Sequence, residues 1–133
     1  MFIAHRHAER RVIEAAHAAG YDDLTPAMAR LAARLHDDGS RLTDLAESAG
    51  VTKQTAHVLV EQLVARRYAR RIPDPHDRRA RLIVLAARGR RVRDVARGAE
   101  EEIVQDWEAH LGARDVRRLT EILTRLREIT DRA

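Results

Sequence analysis

The stretch LTDLAESAGVTKQTAHVLVEQL, residues 42–63, has the spacing of two short helices crossing at a tight turn. Small Ala46 stands where the helices meet, Gly50 comes four residues later in the turn, and Val51, Ala56, Leu59 and Leu63 fall on the side that packs back. This is helix-turn-helix spacing. With those positions inward, Lys53, Gln54, Thr55 and His57 remain on the outer face of the second helix's first two turns, where their lengths and hydrogen-bonding groups suit base edges and phosphates. Thr43 and Thr52 read as the N-caps of the two helices. The free amides and positive dipole end of the second helix favour a phosphate.

Immediately downstream the hydrophobic period changes. YARRIPDPHDRRARLIVL, residues 68–85, reads as strand, turn and strand, a hairpin closed by a six-residue loop at 74–79, with Pro73 marking an edge strand. Arg78 and Arg79 belong to the tip of that loop, and Arg70, Arg71 and Arg81 line the strands. Asp77 is close enough in sequence to hold one of these arginines in a fixed rotamer. Eleven arginines lie between Arg66 and Arg93 against Asp74 and Asp77 alone, a net +9 in a chain whose total is +4, so the remainder is net acidic. A cationic hairpin directly after an exposed polar helix is a wing, placed to lie along a duplex backbone or enter the minor groove. Clustering carries this inference rather than residue identity, since Lys53 is the only lysine among 25 basic residues.

Outward from this core the pattern is helical. Ile3, Val12, Ile13 and a series of alanines predict a helix from residue 2 to about 19, stopping at Gly20. Thr25 and Pro26 start a second, with Met28, Leu31, Ala32 and Leu35 on one stripe, which ends before Gly39. From Ala87 a long helix sets Val92, Val95, Ala99, Ile103 and Trp107 inward. Gly112 breaks it, and a last helix carries Val116, Leu119, Ile122, Leu123, Leu126 and Ile129. The 133 residues contain no linker or repeat and fit one domain, 1–133. Hydrophobic residues make up 44% but aromatics only 3%, so the core is aliphatic and mainly α, with the hairpin as its β element.

The same composition excludes several functions. Without cysteine there are no disulfides, thiolate metal sites or thiol switches. No apolar run is long enough for a membrane span and the N-terminus lacks a secretion signal, so a cytoplasmic protein is expected. His5 and His7 face different sides of their helix, which gives no metal set. No phosphate loop, nucleophile elbow or paired catalytic carboxylates occur, so no enzyme and no cofactor are expected.

Residues 42–92, including the Asp-Pro-x-Asp-Arg-Arg wing and the apolar strand that ends in Leu85, resemble the winged-helix core of the MarR (multiple antibiotic resistance regulator) family. The resemblance implies a winged helix-turn-helix core at about 24–85, flanked by dimerisation helices at 1–20 and 87–133. It also implies a homodimeric bacterial transcription regulator, usually a repressor, that binds double-stranded DNA at a pseudo-palindromic operator and is released by a small aromatic or phenolic effector. By motif position, Thr52, Lys53, Gln54, Thr55 and His57 fall on the DNA-reading helix, and Asp77 with Arg79 on the family's wing pair. Three positions depart from the family pattern: Arg67 where a glycine commonly ends the reading helix, Ala86 where a threonine commonly caps the fifth helix, and Val58 where an arginine often follows the reading residues.

A lone winged helix reads few base pairs, so the apolar stripes of the first and last helices, with part of the Trp107 helix, are assigned to a dimer interface. By analogy with the family, an effector would lie between these helices and the DNA-binding lobe, near Met28, Leu31, Leu35 and Trp107. The competing reading is a winged-helix module for protein contacts or ligand binding without specific DNA recognition.

Overall fold

The computed structural model describes residues 1–131. Six helices and one hairpin follow in the order α1 (Phe2–Ala18), α2 (Pro26–Ala32), α3 (Leu42–Ala49), α4 (Lys53–Ala65), β1 (Ala69–Asp74), β2 (Asp77–Leu85), α5 (Ala87–Leu111) and α6 (Ala113–Thr130). The aliphatic core forms where α2, α3 and α4 meet, around Met28, Leu31, Leu45, Val60 and Leu63, and Tyr68 closes it. Ile13 and Ala16 of α1 and Ile83 of β2 join the same cluster. Helix α1 lies along α5, and α6 folds back on α5.

The crossing of α3 and α4 follows the sequence pattern. Ala46 and Ala56 are buried, and Gly50 adopts φ 67°, ψ 32°, the left-handed turn that a side chain would resist. The amides of Gly50 and Val51 bond back to Glu47 and Ala46, a Schellman ending. Helix α4 ends the same way, with Arg67 bonded to the Val64 carbonyl and Tyr68 to that of Leu63, but here Arg67 takes the left-handed position at φ 66°. The fold therefore keeps the turn that glycine would ease, and Arg67 bears the strain.

Three expectations are corrected. Helix α2 does not run to Gly39. After Ala32 the chain tightens through bonds from Arg34 to Leu31 and from Leu35 to Ala32, and the Ser40 hydroxyl accepts the His36 amide at 3.0 Å. Leu35 still turns inward. Thr43 is not the cap of α3: the N-cap is Arg41, with no side-chain cap bond, and Arg41 is fixed instead by its ion pair with Asp74 of β1. The hairpin loop is also shorter than six residues. β1 and β2 pair antiparallel from Ala69 opposite Leu85 to Pro73 opposite Arg81, slip at Pro73/Asp74, and pair again at Asp74 opposite Asp77, leaving only Pro75 and His76 to turn. Ser40 bridges Ile83 on the other edge of β2, so β1 is the outer strand, where Pro73 loses nothing by lacking an amide hydrogen.

Candidate nucleic-acid interface

Helix α4 starts at the surface. Thr52 caps it, its hydroxyl oxygen accepting the Thr55 amide at 3.1 Å and its hydroxyl donating to that of Thr55 at 2.9 Å. The amides of Lys53 and Gln54 are among the first-turn donors that a helix cannot satisfy internally. Lys53, Gln54, Thr55 and His57 are all exposed, and no ion pair engages Lys53 among the described residues. Val58, which follows them, is half exposed and offers no polar group.

The wing follows the far end of α4. Arg70, Arg78, Arg79 and Arg81 are exposed and enter no ion pair among the described residues. Because the loop is only two residues long, Arg78 and Arg79 open β2 rather than cap the tip, which belongs to Pro75 and His76. Strand alternation puts Arg70 on the opposite face from Arg71 and Arg81. Arg71 differs from the others, since it is ion-paired with Glu61 and so joins the strand to α4. Asp77 does not grip an arginine side chain: its Oδ1 accepts the Arg79 backbone amide at 3.0 Å, which shapes the start of β2 and so aims Arg79 from the main chain.

The residue that anchors the wing, Asp74, was not singled out by sequence. It is buried, and its Oδ2 takes a two-pronged contact from Arg41, 3.0 Å to Nε and 2.8 Å to Nη2, while Oδ1 accepts the His76 amide at 2.9 Å. The amide bond, with Arg41 adding to it, holds the Asp74 carboxyl below its ordinary range despite burial. A second unforeseen cluster lies where α4 ends and α5 begins. The Tyr68 hydroxyl donates to Asp23, and Arg88 binds both Asp23 oxygens at 3.2 and 3.3 Å and the Arg66 carbonyl at 2.6 Å. Burial, and then the bond to the Asp23 carboxylate, push the Tyr68 phenol up to about 12, and the same bond lowers Asp23. Neither cluster has a sequence signal, because their partners lie 33 and 65 residues apart.

The four residues assigned to an effector site separate in the structure. Met28 and Leu31 are closed core, and Trp107 is half-buried on α5. Only Leu35 lines the 340 Å³ cavity that opens between α1, α2 and α5. Among the described residues no His, Asp and Glu side chains converge as a metal site requires, and no helix is long and apolar enough to cross a membrane.

The crossed helices and the hairpin that follows them match known proteins in both sequence and shape. Residues 22–80 match the sequence model of the MarR family. Over that segment the chain has the winged-helix fold of MarR regulators. A transcriptional regulator from Thermotoga maritima is 25% identical, with 98% of this chain and 92% of that one covered at a TM-score of 0.64. A MarR transcriptional regulator from Methanosarcina mazei Go1 superposes at a TM-score of 0.76 with 20% identity over 95% and 89% of the two chains. A mutant of MepR from S. aureus bound to an oligodeoxyribonucleotide has the same fold, at a TM-score of 0.65 with 18% identity, covering 93% and 90%. No curated protein sequence matches. Two of the three departures from the family pattern show in the geometry: Arg67 stands in a left-handed turn, and the N-cap of α5, Ala86, makes no side-chain bond.

Proposed function

We propose that this chain is a sequence-specific DNA-binding transcription regulator that works as a homodimer on a pseudo-palindromic operator, as a repressor released by a small aromatic or phenolic effector. The observation that carries the reading is the presence in one chain of an exposed polar α4 tip and four wing arginines that no acid neutralises among the described residues. On this reading Gln54, Thr55, Lys53 and His57 meet base edges and nearby phosphates, Thr52 keeps the helix amides aimed outward, and Arg70, Arg78, Arg79 and Arg81 follow the backbone or minor groove. Arg71 serves by holding the wing to α4 through Glu61. Residues of about 24–85 form the reading unit, and 1–20 with 87–133 pair the protomers.

The dimer is supported by what α6 leaves uncovered. Val116 is the only buried residue of its 18, while Leu119, Ile122, Leu123, Leu126 and Ile129 stay exposed on one stripe. Phe2 and Ile3 of α1 are exposed as well. A helix this amphipathic gains its stability from a packed face, and beyond the contact with α5 at Val116 the described residues leave this stripe uncovered. Two reading helices held about 34 Å apart would reach successive major grooves. The 340 Å³ cavity, lined by Leu24, Leu35, Val92 and Ala96 together with Arg93 and Glu100, is at the small end of ligand pockets and supports the effector.

Selection of bound fragments from the source genome tests the reading. A site with two-fold symmetry, its half-sites one helical turn apart, is expected. Recovery of random fragments alone would refute sequence-specific regulation.

A further inference from the structure

Helix α4 and helix α5 share no broad packed face among the described residues, yet on the reading above one must be carried at a fixed angle by the other. Three contacts bridge them. The Ala86 amide donates to the Tyr68 carbonyl at 2.9 Å, and Gly89 lies so close under that carbonyl that a Cβ would collide with it. The third contact is Arg88. Its guanidinium stacks 4.2 Å over Tyr68 and 5.6 Å from the Tyr21 ring centre, donates to the Arg66 carbonyl at the end of α4, and forks onto Asp23 in the α1–α2 connection. Arg66 in turn donates to the Asp23 carbonyl at 2.6 Å, so the ring of contacts closes. A cation in the first turn of α5 opposes the helix dipole, and these partners offset that cost. Two of the chain's four aromatic residues are spent here.

We infer that Arg88 is a positioning residue: by tying the end of α4 and the Asp23 connection to the first turn of α5, it sets the angle at which the reading helix is presented and thereby the half-site spacing a dimer accepts. The inference rests on the DNA-binding dimer proposed above. Arg88 and Asp23 are about a third exposed, so removing one leaves no stranded buried charge and the fold survives. The effect falls on geometry. Arg79 changes how strongly DNA is held, whereas Arg88 changes which spacing is held.

The chain has no cysteine, so Val58→Cys on α4 with Glu101→Cys on α5 provides a single pair of spin-label sites. Doubly labelled chain, diluted into excess unlabelled chain, reports the α4–α5 distance within one protomer by pulsed dipolar spectroscopy, without DNA. With Arg88 present a single narrow distribution is expected. Arg88→Gln, with its helical circular dichroism retained, should broaden or shift it, and Asp23→Asn, which removes the carboxylate but leaves the Arg66 carbonyl bond, should do so to a lesser degree. An unchanged distribution in either folded variant overturns the inference. A second arm uses duplexes whose two selected half-sites are moved apart one base pair at a time. Parent protein should lose affinity by about tenfold per step and Arg88→Gln by less than about threefold, with the same salt dependence for both. Equal spacing preference would overturn the inference. Failure of the parent to bind any duplex would instead refute the proposed function, and the distance measurement would still decide whether Arg88 fixes the angle.

Discussion

Gly89→Ala reverses an ordinary rule. In the first turn of a helix, replacing Gly by Ala normally gains about 1 kcal/mol through backbone entropy and helix propensity. At Gly89 the added Cβ would run into the Tyr68 carbonyl oxygen and lie 2.9 Å from Leu85 Cδ2. The leucine methyl can rotate away. The carbonyl cannot, because it already accepts the Ala86 amide and belongs to the residue that leaves α4 through the left-handed turn at Arg67. Overpacking of this kind costs about 1–3 kcal/mol, and losing a buried backbone hydrogen bond costs a similar amount again. After subtracting the propensity gain, a net loss of about 3 kcal/mol is expected. Gly98→Ala, further along α5, is the control: nothing lies within 4 Å of its Cβ, so it should gain up to about 1 kcal/mol. Urea denaturation followed by circular dichroism, at one fixed protein concentration because the proposed dimer would add to stability, measures both variants. If Gly89→Ala equals or exceeds the parent in stability, the close approach of α5 to Tyr68 is wrong.

Arg67→Gly should raise stability by about 1 kcal/mol in the same assay, since it relieves a left-handed arginine in an otherwise complete Schellman turn; a loss would mean that the turn differs. Arg79→Ala should weaken binding to all duplexes alike, whereas Gln54→Ala should relax discrimination at one or two base pairs by about 1–3 kcal/mol each; equal losses on specific and random DNA for both variants would refute that division. Stability should fall at both ends of the pH scale. Asp23 and Asp74 have depressed pKa values when folded, so their contribution is full above the unfolded carboxylate value and is lost as acid protonates them. Tyr68 has a raised one, so its contribution is full below pH 10.0 and is lost toward about 12; Tyr68→Phe should flatten that alkaline limb, and an unchanged limb would mean that the phenol is not held by Asp23.

The legible part of this molecule is the part fixed by local pattern. Ala46, Gly50, Ala56 and Leu63 announced the crossed helices because a close approach demands small residues and a turn demands a positive φ, and the change of period after Tyr68 announced the wing. The α6 stripe was legible for the same reason, as an apolar face that stays exposed among the described residues. Long-range polar contacts left no such trace. Nothing in the sequence links Arg41 to Asp74 or Arg88 to Asp23, and these pairs decided the start of α3, the short hairpin turn and the junction of α4 with α5. Periodicity also cannot separate residues sealed in the core from those at a cavity wall: Met28, Leu31 and Leu35 are all buried, and of the three only Leu35 lines the cavity.

On the proposed reading, the α4 tips and the wings press against duplex phosphate. Titration of the protein on its selected duplex, repeated across a range of salt concentrations, measures this contact most directly. If each protomer neutralises about four phosphates, log affinity should fall with log salt at a slope near −7. A slope indistinguishable from zero would contradict the account.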